Sequence, residues 1–306
     1  MMNTSLTILR QLVIMFLYMG IGWLLVKRGL ISKEGSRDLS NVLIYAVNPA
    51  VIIDSFTVAA SPERDRALLI SFLGALLLLV VAVAVSRSAF RKEPVLSFGS
   101  TFSNSGLGIP LVSGSFGPEG VMYATGNMAL LSVFQWTYGN ALLTGEKSRI
   151  KFRPMLVNPV VIPFLAGLCI YFLRIHLPPL LGTCLSAMAA LNAPVANIVL
   201  GTYLGEIALR EIFTSKSLWV CSFFRLLVIP LLTMLGFFLF FQHYQEVVHV
   251  LLVICSAPVA MNTAVYSRRV GQDYRKAARL VCLSTLLSLV TMPLVMCCWT
   301  LAAGPR

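Results

Sequence analysis

Four asparagines sit deep in apolar stretches of the chain: Asn48, Asn104, Asn192 and Asn262. Each side-chain amide offers one acceptor and two donors without carrying a charge. Proline accompanies all four. The pairings are Asn48-Pro49, Asn192-Ala193-Pro194, the run Asn104-Ser105-Gly106-Leu107-Gly108-Ile109-Pro110, and the run Ala257-Pro258-Val259-Ala260-Met261-Asn262. Proline lacks an N–H and clashes with the carbonyl one turn back, and glycine permits unwound backbone. Such segments interrupt helices and free polar backbone groups, which must face protein or a wet cavity rather than lipid. The N-terminus of a resumed half-helix carries about half a positive charge and free N–H donors. Two such ends beside neutral amides make a pocket suited to a carboxylate with no buried lysine or arginine. The candidate binding residues are Asn48, Asn104, Gly106, Gly108, Pro110, Gln135, Asn192, Pro258 and Asn262.

Other polar groups in apolar surroundings are few. Gln135 is near the middle of its segment, with Asn127 and Asn140 on either side. Asp54 is the one clear acid within a predicted span, toward its outer end, and is a candidate for ion coupling. Arg225 lies in another span and reads as a structural group that snorkels or pairs with a neighbour. The seven cysteines all lie in apolar segments without a CxxC pair, and the three histidines are near segment ends. Neither a metal site nor a bound cofactor is expected. One intramembrane acid is too few for an aspartyl protease, no His-Glu-x-x-His occurs, and no mid-span histidine could activate a serine. An intramembrane enzyme is therefore disfavoured.

The elements that must hold these residues follow from composition. The chain has 306 residues, 58% hydrophobic and 12% charged, half the charge of an average soluble domain, which is about a quarter. A bilayer-spanning helix needs about 20 mostly apolar residues. Candidate spans lie near 6–26, 39–58, 67–86, 95–116, 121–143, 157–174, 180–203, 217–241, 247–266 and 277–302. The expectation is an all-α integral membrane protein of about ten helices, its first helix retained rather than cleaved. The net charge of +12 falls in bursts between apolar runs, which excludes a nucleic-acid partner. With the N-terminus outside, the inner loops hold eighteen lysines and arginines and the outer segments five. The positive-inside rule then puts both termini on the outer side.

The interruptions recur. Asn48 and Asn192 are 144 residues apart, and Pro110 and Pro258 are 148 apart. Five helices followed by five similar ones enter the membrane from opposite sides, because five is odd. Expected divisions are a first repeat over 1–143, a short cytoplasmic linker over 144–156 and a second, inverted repeat over 157–306. Inverted repeats with matching broken helices point to a transporter's binding site. A membrane channel or a membrane-embedded sensor is the alternative.

Taken together, Asn48-Pro49, the Asn104–Pro110 run, the Arg225…Pro230 spacing and the Pro258…Asn262 break resemble the auxin efflux carrier (PIN-like) family in its bacterial permease branch. The resemblance covers the whole chain. It implies a five-plus-five inverted repeat with crossing broken helices 4 and 9, similar to sodium/proton antiporters and bile-acid carriers. It implies an elevator motion of a transport domain against a scaffold of helices 1, 2, 6 and 7. It also implies a bacterial inner-membrane permease for small organic anions, such as malate or malonate in bacteria and indole-acetate in plants. The long central loop of the plant proteins is missing. Coupling to a proton or to sodium, and assembly as a homodimer, are left open.

Overall fold

The structure is a computed structural model that describes residues 2–145, 159–206 and 209–303. The expected linker over 144–156 therefore lies almost wholly outside the described residues. All described regular structure is helical, apart from one isolated antiparallel bridge between Ser103 and Val259.

In chain order the helices are α1 Met2–Lys27, α2 Lys33–Val42, α3 Asn48–Ser55, α4 Pro62–Ala89, α5 Pro94–Thr101, α6 Ser105–Phe134 and α7 Asn140–Thr144. They continue as α8 Val161–Phe172, α9 Pro179–Ala190, α10 Asn192–Gly205, α11 Leu209–Ile212, α12 Lys216–Phe223, α13 Ile229–Phe240, α14 Gln245–Ser256, α15 Asn262–Arg269 and α16 Tyr274–Ala303. Among the described residues, five stretches are long and apolar enough to cross a membrane: Leu9–Lys27, Pro62–Ala89, Pro179–Gly205, Lys216–Phe240 and Tyr274–Ala302. Large apolar side chains are exposed along these helices, among them Leu17, Leu69, Leu180, Leu235 and Leu301. So much exposed hydrocarbon is stable only against lipid. The protein is a multi-pass membrane protein.

Three widened π turns join consecutive helices: Leu43–Val47, Gln135–Gly139 and Phe224–Val228. Two of them end just before a proline, at Pro49 and Pro230. A proline ring cannot fit beneath the carbonyl four residues back in a regular turn, and the wider turn makes room. Pro49 therefore bends its helix without breaking it. Pro194 lies in the first turn of α10, where a missing N–H costs little. The boundary expected between 116 and 121 is a sharp kink inside α6, at Gly117 with φ of 65° and ψ of −164°. Arg64 clamps this kink to the start of α4 through two bonds to the Glu119 carboxylate, 3.0 and 3.1 Å.

The interior is built around α14, where every residue from Val250 to Ser256 is buried, packed on α6 and α4. The first helix lies against α10 with backbones nearly touching. A methyl placed on Gly22 would come 2.1 Å from the Ile198 carbonyl oxygen, and one on Gly201 2.0 Å from that of Met19. Small residues at a crossing let membrane helices reach van der Waals contact along their backbones.

Candidate functional site: two interrupted helices meeting back to back

The chain leaves helix at two places that meet. Helix α5 ends at Thr101, and Phe102 is extended, with φ of −104° and ψ of 122°. Helix α14 ends at Ser256, and Ala257 is extended, with φ of −62° and ψ of 148°. The second break has a simple cause: the ring of Pro258 disfavours helical backbone at the residue before it. The first has a different cause. Asn104 is an N-cap whose Oδ1 accepts from the Gly106 N–H at 3.0 Å, so helix restarts at Ser105.

The two extended segments pair as a minimal antiparallel ladder. The Asn104 N–H donates to the Pro258 carbonyl at 2.8 Å, and the Ala260 N–H donates to the Phe102 carbonyl at 3.0 Å. The Val259 N–H donates to Ser284 Oγ of α16 at 3.1 Å. Backbone groups freed inside an apolar bundle are thereby satisfied by each other.

Four helix ends converge here. The C-termini of α5 and α14 are negative poles, and their last carbonyls lack partners within the helix. Arg225, fully buried in the Phe224–Val228 turn, fills that gap. Its Nε donates to the Ala257 carbonyl at 3.2 Å, its Nη1 to those of Ser100 and Thr101 at 3.3 and 3.5 Å, and its Nη2 to that of Cys255. Among the described residues it meets no carboxylate. Two helix termini of roughly half a negative charge each together balance one guanidinium. Arg225 therefore does not snorkel to the surface; it is held at the centre by backbone dipoles.

The positive ends, the starts of α6 and α15, carry the amides. Asn262 begins α15, is exposed, and donates through Nδ2 to Oε1 of buried Gln135 at 2.8 Å. Among the described residues, the buried polar atoms Ser103 Oγ, Asn104 Nδ2 and Thr263 Oγ1 have no protein partner. Groups left in this state within a native interior point to a ligand or water.

The expected residues are thus distributed as follows. Asn104, Pro258 and Asn262 are at the crossing, with Gln135 brought to it through Asn262. Gly106, Gly108 and Pro110 are not in the unwound segment: helix has already restarted, and they lie within the first two turns of α6. The break precedes that run because the Asn104 cap, not Pro110, sets it. Asn48 and Asn192 are bonded to each other, Nδ2 of Asn192 to Oδ1 of Asn48 at 2.8 Å. Among the described residues no hydrogen bond links that pair to the crossing, although α3 and α10 both pack on α6. Asp54 accepts from Ser186 Oγ at 2.7 Å, at an exposed position.

Asn127 lies outside the sequence-derived set of binding residues. It is fully buried in α6, and among the described residues neither its Nδ2 nor its Oδ1 has a partner. An orphaned amide costs about 1–3 kcal/mol. Asn127→Leu, which keeps the branched shape but carries no polar atoms, is expected to raise the thermal midpoint. A midpoint lowered by the leucine would show that the amide is satisfied structurally.

The sequence profile of the family described as membrane transport protein matches residues 7–296 of the chain. A protein of Methanothermobacter thermautotrophicus described as an uncharacterized transporter is 28% identical, over 96% of this chain and 97% of its own length. Both matches run through the two breaks and Arg225, and both indicate a transporter rather than an enzyme. The chain belongs to the membrane transport protein family, the auxin efflux carrier-like transporters.

Proposed function

We propose that the protein is a secondary carrier of a small organic anion, a mono- or dicarboxylate, working by elevator-type alternating access. In this reading ten spans form two inverted five-helix repeats in a cell inner membrane, with both termini outside. The observation that carries it is the crossing itself. Arg225 is used up against the two negative helix ends, so the two positive ends are left facing Asn104, Gln135 and Asn262. An anion there meets helix N-termini and amide donors, and among the described residues a cation meets no acid.

The repeat is supported by self-pairing. Residues related by a two-fold axis meet each other when they lie on it. Asn48 and Asn192, the corresponding asparagines of the two halves, are hydrogen-bonded together. The ladder around Ser103 and Val259 is itself two-fold.

Uptake of labelled mono- and dicarboxylates into proteoliposomes tests the reading. Saturable uptake is expected. Transport of amines or inorganic cations alone would remove it, and discrete current steps would favour a channel.

Two substitutions locate the site. Asn104→Ser keeps the helix cap but deletes the Nδ2 donor, and Asn262→Ala deletes the amide facing Gln135. Each is expected to lower uptake about tenfold, the weight of one hydrogen bond to a charged group, with the thermal midpoint nearly unchanged in Asn104→Ser and modestly lowered in Asn262→Ala, which leaves Gln135 Oε1 unpaired. Wild-type flux in both variants would place substrate elsewhere.

A further inference from the structure

Away from the crossing, a cavity of about 370 Å³ opens where α4 ends and α5 begins. Its walls include Arg87, Arg91, Pro94, Ser97 and Tyr138, closed by Ala141 and Leu142 of α7 and Gly145 just after it. Every described lining residue lies between 87 and 145, and none of those described is from α1, α3 or α10. Two of these side chains hold polar atoms without protein partners among the described residues, Ser97 Oγ and Tyr138 Oη. Ser97 is 2% exposed and lines this cavity. Arg87 and Arg91 stand exposed at the rim, and among the described residues neither has an acidic partner. The nearby Glu93 carboxylate is neutralised by Lys276 Nζ at 2.8 Å. Ser97 is in the first turns of α5, whose N-terminus adds positive potential.

We propose that this cavity is a second anion site, distinct from the transport site, that takes a phosphate oxyanion. Two guanidiniums offer forked donors matched to phosphate oxygens, and the two hydroxyls supply further donors. The volume exceeds what a bare ion fills and leaves room for the organic group that carries the phosphate. Its depth also fits. Helix α4 has 28 residues, about 42 Å at 1.5 Å each. That exceeds a hydrocarbon core of about 30 Å, so Arg87 in its last turn sits at headgroup level. Basic pockets there bind anionic lipid headgroups. A soluble phosphate ester has the same chemistry.

The test uses the full-length protein in an uncharged detergent and reads its thermal midpoint, which a bound ligand raises by mass action. The probes are inorganic phosphate, dihexanoyl phosphatidylglycerol and dihexanoyl phosphatidylcholine. A rise with phosphatidylglycerol but not with phosphate assigns a lipid headgroup; a rise with phosphate assigns a free ester. The apparent affinity is expected to fall roughly tenfold in Ser97→Ala and to be lost in the Arg87→Gln/Arg91→Gln double variant, whose exposed positions leave the fold intact. The site is overturned by an equal response to phosphatidylcholine, by no response to either anion, or by a response that Ser97→Ala leaves unchanged. Because transport is not measured, none of these results bears on the carrier reading.

Discussion

Arg225→Met is expected to give a protein that no longer holds its two interrupted helices together. The guanidinium donates to carbonyls of Ser100, Thr101, Cys255 and Ala257, on two helices far apart in sequence. Methionine fills much of the volume but donates nothing. Four carbonyls are then left in an apolar interior, where each orphaned acceptor costs about 1–3 kcal/mol. Relaxation and water entry will recover part of this, so the net loss should be about 3–5 kcal/mol, the range for removing one side of a buried charge pair. That is a large share of a typical folding stability of about 5–15 kcal/mol. The expected observation is a sharp fall in monodisperse protein on size exclusion and, in whatever survives, no measurable uptake. Arg225→Lys separates charge from geometry. A lysine keeps the positive charge but lacks the planar fork that reaches both helix ends at once. It should fold with a lowered midpoint and transport at a small fraction of wild type. A methionine variant as stable and active as wild type would show that the dipoles are balanced by something else.

The second large effect is expected at the crossing of α1 and α10. Gly201→Val puts branched carbon where the Met19 carbonyl already stands, and even a bare Cβ would lie 2.0 Å away. The neighbour is backbone and cannot swing aside, so the helices must separate along their length. A cost of about 3 kcal/mol, at the upper part of the range for overpacking, is expected. Gly22→Val should behave alike, since its Cβ would meet the Ile198 carbonyl at 2.1 Å. Gly20 supplies the control. It lies on the same helix with nothing within 4 Å, so Gly20→Ala should be neutral or stabilising by up to about 1 kcal/mol through helix propensity. Thermal midpoints of the three variants in detergent give the comparison. Equal midpoints would mean that the two helices do not approach closely in the membrane.

Much of this molecule was legible in one dimension. Long apolar runs with charges confined between them can only be membrane helices, and proline, glycine and asparagine inside those runs announced where helices would bend or stop. The departures from a sequence reading are local in kind. The Asn104–Pro110 run reads as unwound, yet an asparagine N-cap starts a helix at the next residue, and the break falls just upstream at Phe102 and Ser103. The cap preference of asparagine was the signal that could have located it. The widened turn at Gln135–Gly139 gave no such signal, because it has no following proline.

Arg225 shows where one dimension ends. Its sequence neighbours are Phe224 and Leu226, and they favour an arginine that escapes to the membrane surface. Its partners are carbonyl oxygens 30 to 125 residues away. Every residue carries such an oxygen, so nothing in the letters marks which four will be left unbonded. That depends on where two helices break and on whether the broken ends are folded against each other. Composition alone determined the solvent, the helices and the stock of neutral polar groups. Only tertiary structure decided that two negative helix ends would face one cation, since a dipole acts as a charge only once its direction and its neighbours are set.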